Sequence, residues 1–372
     1  PEGANELTEL ALQYGFGEGD TPVIPNMHEV SALIAGGTLT AISAVMGLPE
    51  GGIFSEDERP VHAFHPAGGL HHAWAERASG FCIYNDIGVA IAHILNSTEA
   101  KILYLDFDAH HGDGVQRMFY DEPRVMTVSF HETGRYLFPG TGDVLELGKG
   151  AGRGYSINVP LEPFTEDDSF IEVMNTVVPP LAMSFAPDVI VSAHGCDTHS
   201  WDPLTHLEMT LRSMEAQAKL VHQLAHTYCK GRWVAVGSGG YDPYRVVPRG
   251  WGIIWAVMSG QPLPERLPEE WVKRWEPAWQ KIEVEEEVAE QAMGKESLHP
   301  VFPTTFRDQS EDFPAQPRRM TINHSNMRTA TLVRQLVVPS SIRHAFPTPQ
   351  ARSPMADLFD LLHVGGEEKA SR

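Results

Sequence analysis

Three ionisable side chains occur at a spacing of two in the segment Asp106–Gly114, which reads DFDAHHGDG. Because side chains alternate between the two faces of an extended strand, Asp106, Asp108 and His110 are predicted to point the same way. Such groups at the end of a buried strand are costly unless they are paired or bind a metal. Carboxylate and imidazole together suit divalent transition metals, so we expect Asp108 and His110 to be metal ligands. Asp113 alone fits helix capping equally well.

A third candidate ligand, Asp197, follows another apolar run, in the segment HGCDT. Two carboxylates and one histidine leave a coordination position open for water and substrate, as in catalytic zinc sites. Since two carboxylates largely cancel the charge of a divalent ion, the ion is a mild Lewis acid. We therefore expect groups that transfer protons to lie close to it.

Two adjacent histidines, His71 and His72, occur in the segment HPAGGLHHA. Adjacent side chains cannot share one face of a strand, so the pair favours a loop in which both rings converge. Asp106 and Asp113 are available to orient the two rings, and a carboxylate behind an imidazole fixes its tautomer and raises its basicity. Taken alone, a pair of adjacent histidines in a chain with 18 histidines is first explained by coincidence.

A glycine-rich segment, GSGGY, ends at Tyr241. Glycines such as Gly239 and Gly240 allow the backbone to pass close to a ligand. A phenol beside them could donate a hydrogen bond to a developing oxyanion. For this segment alone, a glycine-rich turn followed by a half-buried tyrosine is the preferred explanation. The recurrence of four such segments at successive strand ends favours a site.

Four short, almost continuously apolar runs are predicted to be strands buried on both faces: Lys101–Asp108, Arg124–His131, Asp188–His194 and Arg232–Ser238. Helical periodicity is found in four other segments: Val30–Met46, Asp86–Leu95, Asp167–Phe185 and Leu204–Cys229. Alternating strands and helices predict an α/β fold with a parallel, doubly wound sheet. Ligands bind such sheets at the carboxyl ends of the strands, where the segments above lie.

We expect a main domain, residues 1–262, which carries the candidate catalytic residues, and a C-terminal extension, residues 263–372, which is helical and then proline-rich. Three tryptophans at a spacing of four predict an amphipathic helix within Leu263–Ala292 that packs on the main body: Trp271, Trp275 and Trp279. Pro277 predicts a kink or break in that helix. From Ser297 to Ser353 prolines and polar residues dominate, which predicts a loop-like tail.

The 372-residue sequence has 28 Lys and Arg against 49 Asp and Glu, a formal net charge of −21. This charge repels phosphate backbones, so we expect no direct nucleic-acid binding. Cys82, Cys196 and Cys229 are too far apart to form a disulfide framework, which favours a reducing compartment. No uninterrupted apolar run approaches the roughly 20 residues of a membrane span, and no leader is recognisable. We therefore expect a cytoplasmic protein.

Taken together, these segments resemble the histone deacetylase superfamily, the zinc-dependent branch related to arginase, and most closely its bacterial acetoin-utilisation members. The resemblance covers roughly Tyr14–Trp255 and rests on motifs in the family's order and spacing: YGFGEGD, HPAGGLHHA, GFCIYND, DFDAHHGDG, FPGTGD, HGCDTHSWDP and GSGGYDP. It implies a three-layer α/β/α arginase/deacetylase-like fold with a mainly parallel sheet. Family members carry several dozen further residues, including an early strand, before the point where this sequence begins.

The resemblance implies a zinc site, with iron(II) as the alternative metal in the cell, and its ligands would be Asp108, His110 and Asp197. It implies two histidine–carboxylate pairs: His71 with Asp106, and His72 with Asp113. His72 would act as general base and then general acid, with His71 tuning the electrostatics. Tyr241 would polarise the acetyl carbonyl.

The resemblance also implies a narrow channel for an acetyl-lysine side chain, with these substrate-binding residues: Gly80, Phe81, Phe138, Leu204, Gly239 and Gly240. Asp20 would be a rim carboxylate that grips the substrate backbone. A structural potassium ion would lie near the zinc, at Asp106, Asp108, His110, Ser129 and Phe130.

The leading functional hypothesis is hydrolysis of N-acetyl-lysine amides in proteins or peptides. The alternatives are deacetylation of small amines such as acetylpolyamines, and a catalytically silent homologue that binds acylated ligands. Arginase-like chemistry with two manganese ions needs further carboxylates, and Gly112 and His199 stand where those acids would be. The sequence does not indicate an oligomeric state.

Overall fold

The structure, a computed structural model, describes residues 9–17, 19–52, 54–55, 58–292, 302–339 and 342, with only the backbone described for 282–292. A parallel sheet of six strands lies at its centre: β1 (His62–His65), β2 (Ile102–Asp106), β3 (Val125–Glu132), β4 (Ser156–Leu161), β5 (Val189–Ala193) and β6 (Trp233–Val236). The strand order is β1-β6-β5-β2-β3-β4, and every neighbouring pair is parallel.

The helices lie on both faces of the sheet. They are α1 (Met27–Met46), α2 (Asp86–Ser97), α3 (Asp113–Met118), α4 (Asp167–Phe185), α5 (Leu211–Tyr228), α6 (Val247–Ser259), α7 (Glu269–Ala292) and α8 (Arg319–Val337), with short 3₁₀ turns at Pro49–Gly51, Gly150–Gly152 and Ser310–Asp312. One hydrophobic cluster joins α1, α2 and α3 to the sheet, and another joins α4, α5, α6 and α8 to its other face. The predicted three-layer fold is confirmed.

The central strands are buried on both faces, as their apolar runs predict. Along β2, Ile102 and Tyr104 belong to one hydrophobic cluster, whereas Leu103 and Leu105 belong to the other. Burying such a side chain contributes about 2 kcal/mol. Because both faces are covered, the polar residues of these strands collect at the strand ends.

Two strands have no counterpart in the sequence-based prediction. β1 has a four-residue sequence, HAFH, and is only half-buried throughout, so it lacks the continuous apolar run of a central strand. β4 contains Pro160, which is tolerated because β4 lies at the sheet edge. The predicted helix Asp167–Phe185 matches α4 at both ends.

The helix predicted at Leu204–Cys229 is wrong in its first two turns, because α5 begins at Leu211. Thr210 is its N-cap, and the Thr210 hydroxyl accepts a hydrogen bond from the Arg212 amide at 3.2 Å. The preceding residues form a loop instead. Within it, the Thr205 hydroxyl donates to the Asp197 carbonyl at 2.5 Å.

The tryptophan-rich helix α7 continues through Pro277 without a break. The Trp271 and Trp279 rings lie 5.6 Å from the Phe302 ring, measured between centroids. The Trp275 ring lies 5.7 Å from that of Tyr244, in the main body. The predicted contact between this helix and the body is therefore present.

The predicted loop-like tail, Ser297–Ser353, is wrong where the structure describes helix α8 in it. Four apolar residues of α8 are buried against α4 and β4: Ile322, Met327, Ala330 and Val333. Asn326 is buried among them and donates to the hydroxyls of Thr165 and Ser169. This apolar stripe is narrow and flanked by polar residues, which is why the periodicity was weak. Residues 297–301, 340–341 and 343–353 lie outside the described residues.

Asp308 connects the C-terminal extension to the centre of the molecule. Its carboxylate, which is buried, accepts hydrogen bonds from Arg249 Nη1 at 2.7 Å and from the Leu211 amide at 2.8 Å. It also lies 3.1 Å from His199 Nε2. Burial would raise the pKa of Asp308, but His199 and Arg249 hold it well below its usual range.

Helix α1 has the length and apolar composition of a membrane span, the one such helix among the described residues. In the fold, however, Ile42 and Val45 of its second half are buried against Ile87 and Ile91 of α2. The core helix of a soluble protein passes the same test of length and composition, so the test alone does not indicate a membrane.

Candidate active site

The structure brings Asp108, His110 and Asp197 together, and we call these three residues the acidic trio. His110 Nδ1 lies 2.9 Å from Asp197 Oδ2 and 3.1 Å from Asp108 Oδ1. One ligand atom from each residue lies within 4.8 Å of the other two. All three side chains are buried at the carboxyl ends of β2 and β5. Two carboxylate oxygens and one imidazole nitrogen are therefore close enough to bind one metal ion.

Strand alternation does not explain this convergence, contrary to the expectation for Asp106, Asp108 and His110. Strand β2 ends at Asp106, and the residues after it leave the sheet in a bend. In that bend the His110 amide donates to Asp108 Oδ1 at 2.8 Å, and the Ala109 amide donates to Asp197 Oδ1 at 3.0 Å. Backbone hydrogen bonds thus orient the carboxylates.

Two glycines make room for the acidic trio. A Cβ atom on Gly195 would lie 2.6 Å from oxygens of both Asp108 and Asp197, and one on Gly239 would lie 2.3 Å from Asp197 Oδ2. The Gly239 amide donates to Asp108 Oδ2 at 2.7 Å. The backbone therefore approaches the carboxylates more closely than any other residue type allows.

The electrostatics of the acidic trio fit a bound cation. Burial raises the pKa of Asp197, and the charge on Asp108 raises it further, to about 8. Burial opposes protonation of His110, but hydrogen bonds to Asp108 and Asp197 raise its pKa to about 11. Without a metal the trio therefore holds protons on Asp197 and His110 at neutral pH, and a bound cation would take their place. A carboxylate–imidazole donor set of this kind suits a divalent transition metal.

The two adjacent histidines lie beside the acidic trio, each with its own carboxylate. His71 Nδ1 is 2.8 Å from Asp106 Oδ2, and His72 Nδ1 is 2.7 Å from Asp113 Oδ1. Their Nε2 atoms are 3.1 Å apart. His71 Nε2 also lies 3.8 Å from Asp108 Oδ1. The two rings therefore converge in a loop next to the trio.

The pKa values of the two rings are shifted in opposite directions. Burial would lower the pKa of His71, but the charges of Asp106 and Asp108 raise it to about 9. Burial, together with the charge on His71, lowers the pKa of His72 to about 4. At neutral pH the pair therefore carries one added proton, and His72 is the member free to accept another.

Four residues that sequence reasoning gave no role hold this arrangement in place. Tyr104 Oη donates to Asp106 Oδ2 at 2.6 Å, and Trp74 Nε1 donates to Asp113 Oδ2 at 2.9 Å. Asp86 accepts hydrogen bonds from the Gly69 and Leu70 amides. The Tyr241 amide donates to Asp202 Oδ2 at 2.8 Å. Trp74, Asp86 and Asp202 lie within or beside motifs quoted above, and that position was the available signal.

Tyr241 stands after the two glycines that line the acidic trio. Its phenol is largely buried, and burial together with the charges of Asp108 and Asp197 raises its pKa. The phenol therefore stays protonated and can donate a hydrogen bond. Its ring lies 5.9 Å from that of Phe81, measured between centroids.

Three of the predicted channel residues, Gly80, Phe81 and Phe138, lie beside the histidine pair or Tyr241. The Phe138 ring lies 5.0 Å from the His72 ring, and a Cβ on Gly80 would lie 2.5 Å from the His72 ring. Phe81, Phe138 and Leu204 are 56%, 45% and 45% exposed. Asp20 Oδ2 accepts a hydrogen bond from the Gly80 amide at 3.0 Å, so the rim carboxylate contacts the channel loop.

Three of the predicted potassium ligands lie at or just after the end of β2, and the other two, Ser129 and Phe130, lie within β3 beside it. Asp106 pairs with Ser129 in the register of β2 and β3, and Phe130 follows. The Ser129 hydroxyl lies 2.8 Å from His131 Nδ1.

The two positions that would carry further acids in an arginase-like site hold Gly112 and His199. A Cβ atom on Gly112 would lie 2.1 Å from Asp106 Oδ2, so no side chain fits there. His199 is bonded to Asp308, as described above. Neither position therefore adds a carboxylate to the acidic trio.

Comparison with known proteins agrees with this geometry. Residues 2–258 match the histone deacetylase domain family. The chain is 46% identical over 332 residues to the acetoin utilization protein AcuC of Bacillus subtilis, covering 88% of this chain and 78% of that protein. It is 38% identical over 328 residues to AcuC of Staphylococcus xylosus, covering 87% and 77%. For AcuC of Staphylococcus aureus strain MRSA252 the identity is 43%, covering 68% of this chain and 62% of that protein.

Solved structures give the same result. A crystal structure of a histone deacetylase homologue from Aquifex aeolicus has a TM-score of 0.67 and 29% sequence identity, covering 85% of this chain and 78% of that chain. A histone deacetylase homologue complexed with SAHA also has a TM-score of 0.67 at 29% identity, covering 87% and 79%. From the matched domain, the relatives and the fold, we conclude that this chain belongs to the histone deacetylase family.

Proposed function

We propose that this chain hydrolyses N-acetyl-lysine amides in proteins or peptides and releases acetate. The observation that carries the proposal is the convergence of the acidic trio with the His71–His72 pair, each ring backed by a carboxylate. Membership of a deacetylase family supports the reaction class. The metal, its identity as zinc rather than iron(II), and the protein substrate are parts of this proposal.

Asp108, His110 and Asp197 are the residues that would hold the metal. A divalent ion bound there would supply Lewis-acid polarisation of the acetyl carbonyl and make water more acidic. The burial of all three ligands supports this role, since a dry site strengthens electrostatic interactions.

The chain's own residues would transfer the protons. His72, with its lowered pKa, accepts a proton from the attacking water and later delivers it to the leaving lysine amine. Asp113 fixes the His72 ring through the 2.7 Å contact. His71 stays protonated beside it and favours the developing negative charge. The Tyr241 phenol donates a hydrogen bond to the oxyanion.

The substrate would enter between Phe81 and Phe138, whose exposed rings suit the apolar stem of an acetyl-lysine. The net charge of −21 favours peptides with basic residues on either side. The proposed potassium site uses backbone oxygens near Asp106 and Ser129, which the strand register places side by side.

Turnover of acetyl-lysine peptides, measured beside turnover of acetylpolyamines and with a chelator control, tests the proposal. We expect faster, chelator-sensitive turnover of the peptides. Faster turnover of acetylpolyamines would contradict the protein substrate and favour small amines. A protein that binds acetyl-lysine peptides without hydrolysing them, with metal supplied, would contradict catalysis altogether.

A further inference from the structure

A second cluster of side chains that could bind a metal ion lies apart from the acidic trio. It consists of His62, His222 and His226, which we call the histidine trio. His226 Nε2 lies 3.2 Å from His62 Nε2 and 3.1 Å from His222 Nε2. His62 and His222 are half-buried, and His226 is exposed. Three imidazole nitrogens therefore face one another at the surface.

The fold places the histidine trio at the opposite end of the sheet from the acidic trio. His62 begins β1, whose carboxyl end leads toward the His71–His72 loop. His222 and His226 lie four residues apart on α5, so their side chains share one helix face. The cluster thus joins an edge strand to a helix and shares no residue with the proposed catalytic machinery.

Hydrogen bonding alone does not satisfy this geometry. A neutral imidazole nitrogen carries either one hydrogen or one lone pair. His226 Nε2 is within hydrogen-bond distance of two other Nε2 atoms, so it can form a good hydrogen bond with only one of them. A cation between the three nitrogens would use all three lone pairs at once.

The spacing and the donor type both fit a transition metal. Two histidine nitrogens bound tetrahedrally to zinc at about 2.05 Å are about 3.3 Å apart, close to the 3.1 Å and 3.2 Å observed. Imidazole suits Zn²⁺, Cu²⁺ and Ni²⁺ rather than Mg²⁺ or Ca²⁺. The Trp233 ring lies 5.6 Å from the His62 ring and 6.1 Å from the His222 ring, where it restricts both.

The fold also favours the neutral, metal-binding form of two of these rings, those of His62 and His222. Burial, followed by the charges of His222 and His226, lowers the pKa of His62. Burial and His226 lower the pKa of His222. Deprotonated lone pairs are therefore available at neutral pH.

We propose that His62, His222 and His226 form a second, surface metal site that binds a divalent transition cation such as Zn²⁺ and links β1 to α5. Three protein nitrogens leave a fourth coordination position for water. Binding there would stabilise the folded chain, because the unfolded chain does not hold the three rings together.

Counting bound Zn²⁺ tests this site. Native protein is titrated with Zn²⁺ against a chromophoric chelator, beside His226→Gln and the control His324→Gln, which replaces an exposed histidine on α8. We expect His226→Gln to bind one ion fewer per chain than the native protein and His324→Gln, or to bind that ion at least about tenfold more weakly. Equal numbers and affinities in native protein and His226→Gln would overturn the proposal.

The variant Asp197→Asn separates this site from the acidic trio. In Asp197→Asn we expect Zn²⁺ still to raise the melting temperature, and the added change His226→Gln to abolish that rise. A rise that persists in the double variant would also overturn the proposal. Because His226 is exposed, we expect its replacement to leave the fold intact, and His222→Gln provides a second variant with the same expected loss.

Discussion

The acidic trio and the histidine trio each gather three donor atoms within 4.8 Å, yet they differ in charge and burial. The acidic trio has two carboxylates, is buried and is surrounded by backbone amides that bond to its oxygens. The histidine trio has no carboxylate and is partly exposed. A cation in the first would be nearly neutralised and confined, whereas one in the second would keep its charge and exchange with solvent. Donor spacing alone therefore does not distinguish a catalytic site from a surface site.

The largest expected effect concerns the ligands themselves. Asp197→Asn removes one of the two carboxylate charges, and we expect kcat/KM on an acetyl-lysine peptide to fall by about a thousandfold or more. His226→Gln should change kcat/KM less than about twofold, because a substitution of an exposed residue far from the acidic trio has little effect on the proposed catalytic residues. Activity of Asp197→Asn within tenfold of native would remove the distinction between the trios.

The next effect tests the proton donor beside the acidic trio. We expect Tyr241→Phe to lower kcat by about 10²- to 10³-fold, the loss that follows removal of one oxyanion hydrogen bond. The number of bound metal ions should stay unchanged, since the phenol is not one of the ligands. Near-normal turnover of this variant would rule out the oxyanion role.

A matched pair of glycines compares the two clusters directly. A Cβ on Gly239 would lie 2.3 Å from Asp197 Oδ2, and a Cβ on Gly231 would lie 3.2 Å from His226 Cε1. We expect Gly239→Ala to lower kcat/KM on the order of 10- to 100-fold, because it displaces a ligand. Gly231→Ala, whose φ of +83° also disfavours alanine, should weaken Zn²⁺ binding at the histidine trio and leave kcat/KM within about twofold. A large loss of kcat/KM in Gly231→Ala would contradict this prediction and show that the two clusters are coupled.

The smallest effect is a pH dependence of stability in the metal-free protein. The pKa values of His62 and His222 are lowered in the fold, so the unfolded chain takes up protons more readily as pH falls. The stability from these neutral rings is present above the ordinary histidine pKa of 6.5 and is lost as pH falls below it. Between pH 7.5 and 5.5 we expect the melting temperature of native protein to drop about 2 °C more than that of His222→Gln. A drop of the same size in both, with His324→Gln as control, would contradict the assignment.

The difference between the trios also explains what could be predicted from sequence. Asp108 and His110 are two residues apart at the end of an apolar run, and Asp197 ends another such run. The histidine trio has no such signature, because His62 begins a strand that the sequence does not reveal. The spacing of His222 and His226 on a predicted helix was the available signal, and it gives two ligands without the third.

The fold follows the same rule. The strands with continuous apolar runs, β2, β3, β5 and β6, were predicted, because burial on both faces dictates their composition. The edge strands β1 and β4 were not, since partial exposure in β1 and Pro160 in β4 obscure the pattern. The positioning roles of Trp74, Tyr104 and Asp202 depend on contacts between segments far apart in sequence, which spacing alone does not reveal.

The contacts of Asp308 bear on how the chain can be shortened. A fragment cut after α6 would keep the acidic trio, the histidine pair and Tyr241, but it would lose Asp308, the carboxylate that pairs with the buried Arg249. Removing one partner of a buried ion pair costs about 3–5 kcal/mol, and His199, two residues beyond Asp197, would lose its neighbour as well. A stable shortened chain would therefore have to extend past Tyr241, the last of the proposed catalytic residues, to Asp308, whose charge balances that of the buried Arg249.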